Sequence, residues 1–229
     1  MIWLVDIGNT NTSWCAFTPG AGLGPVKTAP TAQFRPETLD GPIAACCVVP
    51  ECRERLLARG AFLVSPEHPG GVRLEQMDVS TLGADRIANA AALLRDYPRP
   101  ALVVDFGTAI TIESVDSAGR FAGGAILPGR ALLRKSLTHN TAQLPEATWK
   151  PFAPDAPGFD TDSAIRLGVD LGAVGAVREV LDVMKKASGA RSVVAAGGDR
   201  AFFRRFFGEM LDGGDCFTLR GVLYCWEKR

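Results

Sequence analysis

Short continuous apolar runs, each bounded by turn-forming residues, recur along the chain in the pattern of strands buried on both faces. They predict strands over 2–6, 13–17, 44–49, 101–104, 110–115 and 192–196. Between them the period changes. Ile87, Ala91 and Leu94 fall at helical spacing and predict a helix over 84–97; a longer helical pattern covers 162–186 and ends near Gly189, and a third covers 201–210. Strands that alternate with helices indicate an α/β chain. Residues 19–25 read as a short flexible loop. Pro98-Arg99-Pro100 is the best boundary between an N-terminal lobe, 1–100, and a C-terminal lobe, 101–229. The proline-rich stretch 151–158 excludes regular helix or central strand and predicts a loop leading into the long helix.

Two of the apolar runs end alike: Ile2 to Val5 runs into Asp6-Ile7-Gly8-Asn9-Thr10, and Ala101 to Val104 into Asp105-Phe106-Gly107-Thr108. An Asp-x-Gly turn at a buried strand end brings a carboxylate, backbone N–H groups and short polar side chains to one place. That inventory suits a nucleoside triphosphate. One such turn is an ordinary chain reversal, and two ordinary hairpins remain the alternative. The repeat after matching strands points to two related lobes facing each other across a cleft.

Composition narrows the function class. The 229 residues are 47% hydrophobic and 22% charged, so the chain is globular throughout and long enough for one domain or two compact lobes. Twenty-five basic residues balance twenty-five acidic ones without a Lys/Arg block, which argues against a nucleic-acid surface and favours a small-molecule partner. The most hydrophobic helical stretch, 164–183, is interrupted by Arg166, Asp170, Arg178, Glu179 and Asp182, so no membrane span is expected. The chain opens directly in a strand, with no signal segment ahead of it, and is expected to be cytoplasmic. Cys15, Cys46, Cys47, Cys52, Cys216 and Cys225 have neither disulfide-scaffold nor zinc-knuckle spacing, and His68 and His139 stand alone, so reduced cysteines and no zinc site are expected.

Further motifs are individually weak. Gly83-Ala84-Asp85-Arg86 puts a carboxylate and a guanidinium at a helix N-terminus, as a ligand site or as a cap. Gly123-Gly124-Ala125-Ile126-Leu127-Pro128-Gly129 permits close backbone approach or a tight turn. Gly197-Gly198-Asp199 joins a strand to a helix and suits a base, a ribose or a phosphate.

Taken in order, these segments, with Val48-Val49-Pro50 and Thr141-Ala142-Gln143-Leu144-Pro145, resemble the type III pantothenate kinases, of the acetate and sugar kinase, heat-shock chaperone and actin superfamily. The resemblance covers nearly the whole chain. It implies a duplicated ribonuclease H-like (actin-like) α/β fold, two lobes around a nucleotide cleft, and transfer of the ATP γ-phosphoryl group to the primary hydroxyl of pantothenate, the first step of coenzyme A synthesis. It further implies that Asp6 binds magnesium and ATP, that Gly8, Asn9 and Thr10 form the first phosphate turn and Gly107 and Thr108 the second, and that Gly197 and Gly198 lie near the nucleotide. Asp85 is implied as general base, with Gly83, Ala84 and Arg86 holding pantothenate and Thr161 reaching it from the partner subunit of a homodimer.

Asp105 matches the family's ligand for a monovalent cation, potassium or ammonium; a magnesium-facing residue and a plain turn former are its rival readings. Gly168 and Gly172 share a helical face and, with Gly175, allow close approach of another backbone, which the resemblance implies is a second subunit and which packing inside one subunit also explains. The chain departs from the family in carrying Gln76 where Tyr is usual, Asp78 and Val79 where Asn-Pro is usual, and Cys15 where glycine follows the first turn. Those changes alter the expected pantothenate wall. They keep two further readings open, a non-catalytic regulatory homologue and a kinase for another small hydroxy acid.

Overall fold

In the computed structural model, which describes residues 1–150 and 156–229, the first apolar run forms β1 (Ile2–Ile7) and folds back antiparallel on β2 (Asn11–Thr18). Two short strands, β3 (Gly22–Leu23) and β4 (Lys27–Pro30), add to β2. On the other side, β5 (Ile43–Cys47) lies parallel to β1, and after α1 (Pro50–Ala58) the two-residue strand β6 (Phe62–Leu63) closes the sheet. Pro50 stands in the first turn of α1, where its fixed φ suits the helix and its missing N–H costs nothing, so β5 stops short of the predicted 44–49.

Helix α2 (Ala84–Asp96) leads into a second sheet built the same way. There β7 (Ala101–Phe106) pairs antiparallel with β8 (Ala109–Val115), β8 with β9 (Phe121–Pro128), and, past α3 (Arg130–Asn140) and α4 (Thr161–Ser188), β10 (Ser192–Ala196) runs parallel to β7. Then α5 (Arg200–Arg204), β11 (Leu211–Asp212) and α6 (Phe217–Glu227) complete the chain. The spatial orders are β3-β2-β1-β5-β6 and β9-β8-β7-β10-β11. Each sheet is a hairpin, a central strand and two parallel crossover strands in one sequence, the duplicated ribonuclease H-like arrangement in two lobes.

Alternation along the strands explains the layering. Leu4, Ala44 and Cys46 of the first sheet and Val103, Val194 and Ala196 of the second pack into one buried cluster with α2 and α6. The opposite faces bury Val5, Ile7 and Ala45 against Leu56 of α1, and Leu102, Val104 and Ala195 against Val174, Val177 and Leu181 of α4. Where α2 and α6 cross, a Cβ at Gly221 would collide with the Ala88 carbonyl, so glycine sets the spacing of the central layer.

The long helix ends at Gly189, as its pattern predicts, closed at φ 63°; its start lies one residue earlier than the pattern, where Asp160 and Ser163 form a reciprocal capping box. The 201–210 helix is much shorter than its apolar content suggests. Phe203 stacks on Phe106 with ring centroids 4.1 Å apart, and the chain must turn after α5 to bring Phe207 and Met210 into the same core. The stretch 123–129 is largely the end of β9 rather than a turn, and Pro151 to Asp155 of the predicted proline-rich loop lie outside the described residues. All six cysteines are free, and five are buried. Among the described residues, no helix is long and apolar enough to cross a membrane.

Candidate active site

The two Asp-x-Gly turns face each other. Each glycine N–H closes its turn tightly, Gly8 onto Asn11 O at 3.0 Å and Gly107 onto Ala109 O at 3.2 Å, and the hydroxyls of Thr10 and Thr108 meet across the gap at 2.9 Å. Thr31 holds the first turn from below, donating to Gly8 O at 2.7 Å. Gly129 donates its N–H to Thr108 O at 3.0 Å, and a side chain there would strike the carbonyls of Gly107 and Thr108. Gly197, at φ 84°, leaves no room for a Cβ, which would lie 2.6 Å from the Phe106 backbone and against the Asp105 carboxylate. One cavity of about 720 Å³ collects Asp6, Gly8, Asn9, Thr10, Asp85, Asp105, Gly107, Thr108, Gly197 and Gly198.

Three carboxylates concentrate negative charge at its base. Burial raises Asp6 to about 7, aided by the charges of Asp105 and Asp85, while the Cys46 thiol donates to Asp6 Oδ1 at 3.2 Å and works the other way. Asp105 is raised to about 6, again by burial, against a hydrogen bond from Asn89 Nδ2 at 3.0 Å. Asp85 is raised by burial, partly offset by the Arg86 N–H that its Oδ1 accepts at 2.8 Å. Hard oxygen donors held against mutual repulsion are what a cation relieves. Among the described residues no group of three His, Cys, Asp or Glu side chains forms an all-protein metal cage. The donor set fits magnesium shared between one or two carboxylates and substrate phosphates.

Gly83 begins α2 because a side chain there would place its Cβ 2.5 Å from Asp85 Oδ1, so the glycine leaves room for the carboxylate to fold back over the helix start. Arg86 turns away from the cleft: its Nε donates to Glu113 at 2.9 Å, its guanidinium lies 5.5 Å from the Phe121 ring centroid, and Gly124 leaves it space. Glu113 is fully buried, and burial lifts it to about 8 despite Arg86. One turn along α2, Asn89 carries a hydrogen bond from Thr218 of α6 on to Asp105.

Gly83, Ala84 and Arg86 thus flank the cavity without lining it. Thr161 lies apart, at the start of α4, on a separate apolar groove of about 690 Å³ between α3 and α4. The altered positions Gln76, Asp78 and Val79 are exposed on the segment before α2, and Cys15 is buried in the central core, facing away from the turns. Asn89, Glu113, Cys46 and Thr31 are supporting residues with no motif of their own. Asn89 alone left a trace, as a polar residue one turn beyond Asp85 in an alanine-rich helix.

Residues 2–183 match the family model for type III pantothenate kinase. A type III pantothenate kinase from Gloeobacter violaceus is 34% identical over 227 residues, 96% of each chain, and one from Akkermansia muciniphila is 34% identical over 215 residues, 88% of each. Among solved structures, a Campylobacter jejuni protein described as a conserved Baf family transcriptional activator superposes with a TM-score of 0.70 at 24% identity, over 98% of this chain and 97% of that one. The activator of 2-hydroxyisocaproyl-CoA dehydratase from Clostridium difficile does so at 0.55 and 12% identity, over 99% and 95%. At these identities both structures bear on the fold alone.

Proposed function

The chain belongs to the type III pantothenate kinase family, and from that membership and the geometry of the cleft we propose how its residues divide the work. The protein phosphorylates pantothenate with ATP in coenzyme A synthesis. Phosphoryl transfer asks little covalent chemistry of a protein and much positioning. Asn9, Thr10, Gly107 and Thr108 hold the phosphates between the two turns, with Gly8 setting the first turn and Gly197 and Gly198 beside the nucleoside. Asp85 accepts the proton of the pantothenate hydroxyl as that oxygen bonds to the γ-phosphorus and ADP leaves. Burial raises its pKa above the ordinary aspartate range, which makes it the stronger proton acceptor. Bound magnesium neutralises developing phosphate charge, and Asp6 would hold it; Asp105, steadied by Asn89, would hold a potassium or ammonium ion. Gly83 and Ala84, at the start of α2 beside Asp85, border the pantothenate end, and Arg86 reaches pantothenate only by leaving its Glu113 contact.

The observation that carries this reading is the meeting of the two turns at Thr10 and Thr108 with Asp85 in the same cavity. Thr161 acts on the partner's pantothenate in a homodimer. The exposed face of α4 supports this: a Cβ added at Gly168, Gly172 or Gly175 meets nothing within 4 Å, so these glycines are not explained by packing inside one subunit. Free, mostly buried cysteines suit a reducing cytoplasm. The test is acceptor profiling: purified protein given ATP with pantothenate and with related hydroxy acids, read by ADP release and product mass. Phosphopantothenate as the dominant product is expected, and preference for another acceptor would overturn the substrate assignment.

A further inference from the structure

Trp149 stands 59% exposed on the wall of the cleft that holds both phosphate turns, and shares that cavity with Leu132, Lys135, Gly198 and Arg200. An exposed indole is usually mobile; this one is propped. The Arg134 guanidinium lies 4.0 Å from its ring centroid and that of Arg130 5.3 Å. Both arginines are buried and fixed in turn. Arg130 grips Asp199 through two contacts of 2.6 Å and Asp170 at 3.0 Å, and Arg134 donates to Asp170 at 2.7 Å. Among the described residues, Arg134 Nε and Nη1 have no hydrogen-bond acceptor, and the indole π-face is the electron-rich partner that side of the guanidinium meets. The preceding residue is tied as well: Thr148 donates its N–H and its hydroxyl to the two oxygens of Asp162, at 2.7 and 3.0 Å.

Among the described residues, the ring has one face committed to buried cations and the rest open to the cleft. Arg130 links it directly to Asp199, the residue after Gly197-Gly198, so the ring is tied to the Gly-Gly side of the cavity, where the nucleoside belongs once the phosphates occupy the turns. A rigid, apolar π-surface offers a purine stacking without the entropy cost of ordering a free side chain.

We infer that Trp149, seated on Arg130 and Arg134, is the stacking platform for the purine base of the nucleotide. This rests on the reading of the cleft as an ATP site. Base–aromatic stacking predicts that Trp149→Ala raises KM for ATP roughly 5- to 150-fold, the rise falling in KM rather than kcat, with Trp149→Phe recovering most of the loss. Inorganic tripolyphosphate, which lacks the base, is the control: as a competitive inhibitor it should bind wild type and Trp149→Ala alike. Quenching of tryptophan fluorescence by ATP should disappear in Trp149→Phe. An active enzyme whose KM for ATP is unchanged in Trp149→Ala would overturn the platform alone, as would equal weakening of ATP and tripolyphosphate, which would make Trp149 a prop for the phosphate end. A wild-type protein that neither binds nor consumes ATP would overturn the kinase reading and the platform together.

Discussion

Thr10 and Thr108 lie 98 positions apart in the chain, yet their hydroxyl oxygens sit 2.9 Å from each other where the two lobes meet. Each stands two residues or fewer past the glycine of its own turn, so the pair fixes the distance between the two turns, the walls proposed to hold the phosphates. Thr108→Val keeps the shape and removes the hydroxyl. If that hydroxyl also serves the charged phosphates, KM for ATP should rise about tenfold or more while KM for pantothenate moves little. Equal rises for both substrates would point to a disturbed lobe arrangement instead.

Asp85→Asn preserves size and the contact with the Arg86 N–H but removes the carboxylate proposed as proton acceptor. We expect kcat to fall by ~10²–10⁴-fold, with nucleotide affinity and melting temperature close to wild type. A sharp fall in thermal stability with normal turnover by the remaining folded protein would make Asp85 a helix cap only.

Much of this arrangement was legible in the sequence because its parts are local. An apolar run ending in Asp-x-Gly reads the same whether or not the second copy is known, and Gly189 marks the end of α4. The pairings of the supports were not legible, because they join residues far apart: Glu113 under Arg86, Cys46 beside Asp6, and Asn89, whose place in the helix left a trace but whose partner Asp105 did not. In β8 Glu113 follows Ile112 as an unremarkable polar position, and only the second sheet's approach to α2 buries it. Helix α6 was missed for the same reason, since its glycine makes sense only against Ala88.

Glu113 gives a pH signature. Its folded pKa, about 8, lies above the ordinary 4.5, so the folded protein binds the extra proton, and the contribution of Glu113 to stability is full below about 4.5, is lost as pH rises from there to about 8, and is constant above. Glu113→Gln removes the titration, and its melting temperature should fall less than wild type's between pH 5 and 8. Parallel curves for the two proteins would show that the Arg86 pairing holds Glu113 ionised throughout.

Asp105 is held by Asn89, which is held by Thr218, a rigid chain suited to presenting one carboxylate to a weakly bound ion. Activity should rise when potassium or ammonium replaces sodium, and Asp105→Asn should abolish the difference. A potassium response that survives this substitution assigns the ion elsewhere.

Thr161 offers the most discriminating test, because it lies on the α3–α4 groove rather than in its own subunit's cleft. If it completes the partner's pantothenate site, Asp85→Asn and Thr161→Val enzymes should each be impaired alone and should complement each other in mixed dimers. In such a dimer the Thr161→Val subunit keeps its own Asp85 and borrows an intact Thr161 from its partner, so one of the two sites is whole. With random assortment half of the dimers are mixed, and coexpression should restore roughly a quarter of wild-type activity. If Thr161 served its own subunit, each site in the mixed dimer would still carry one lesion, and activity would stay at the average of the two parents.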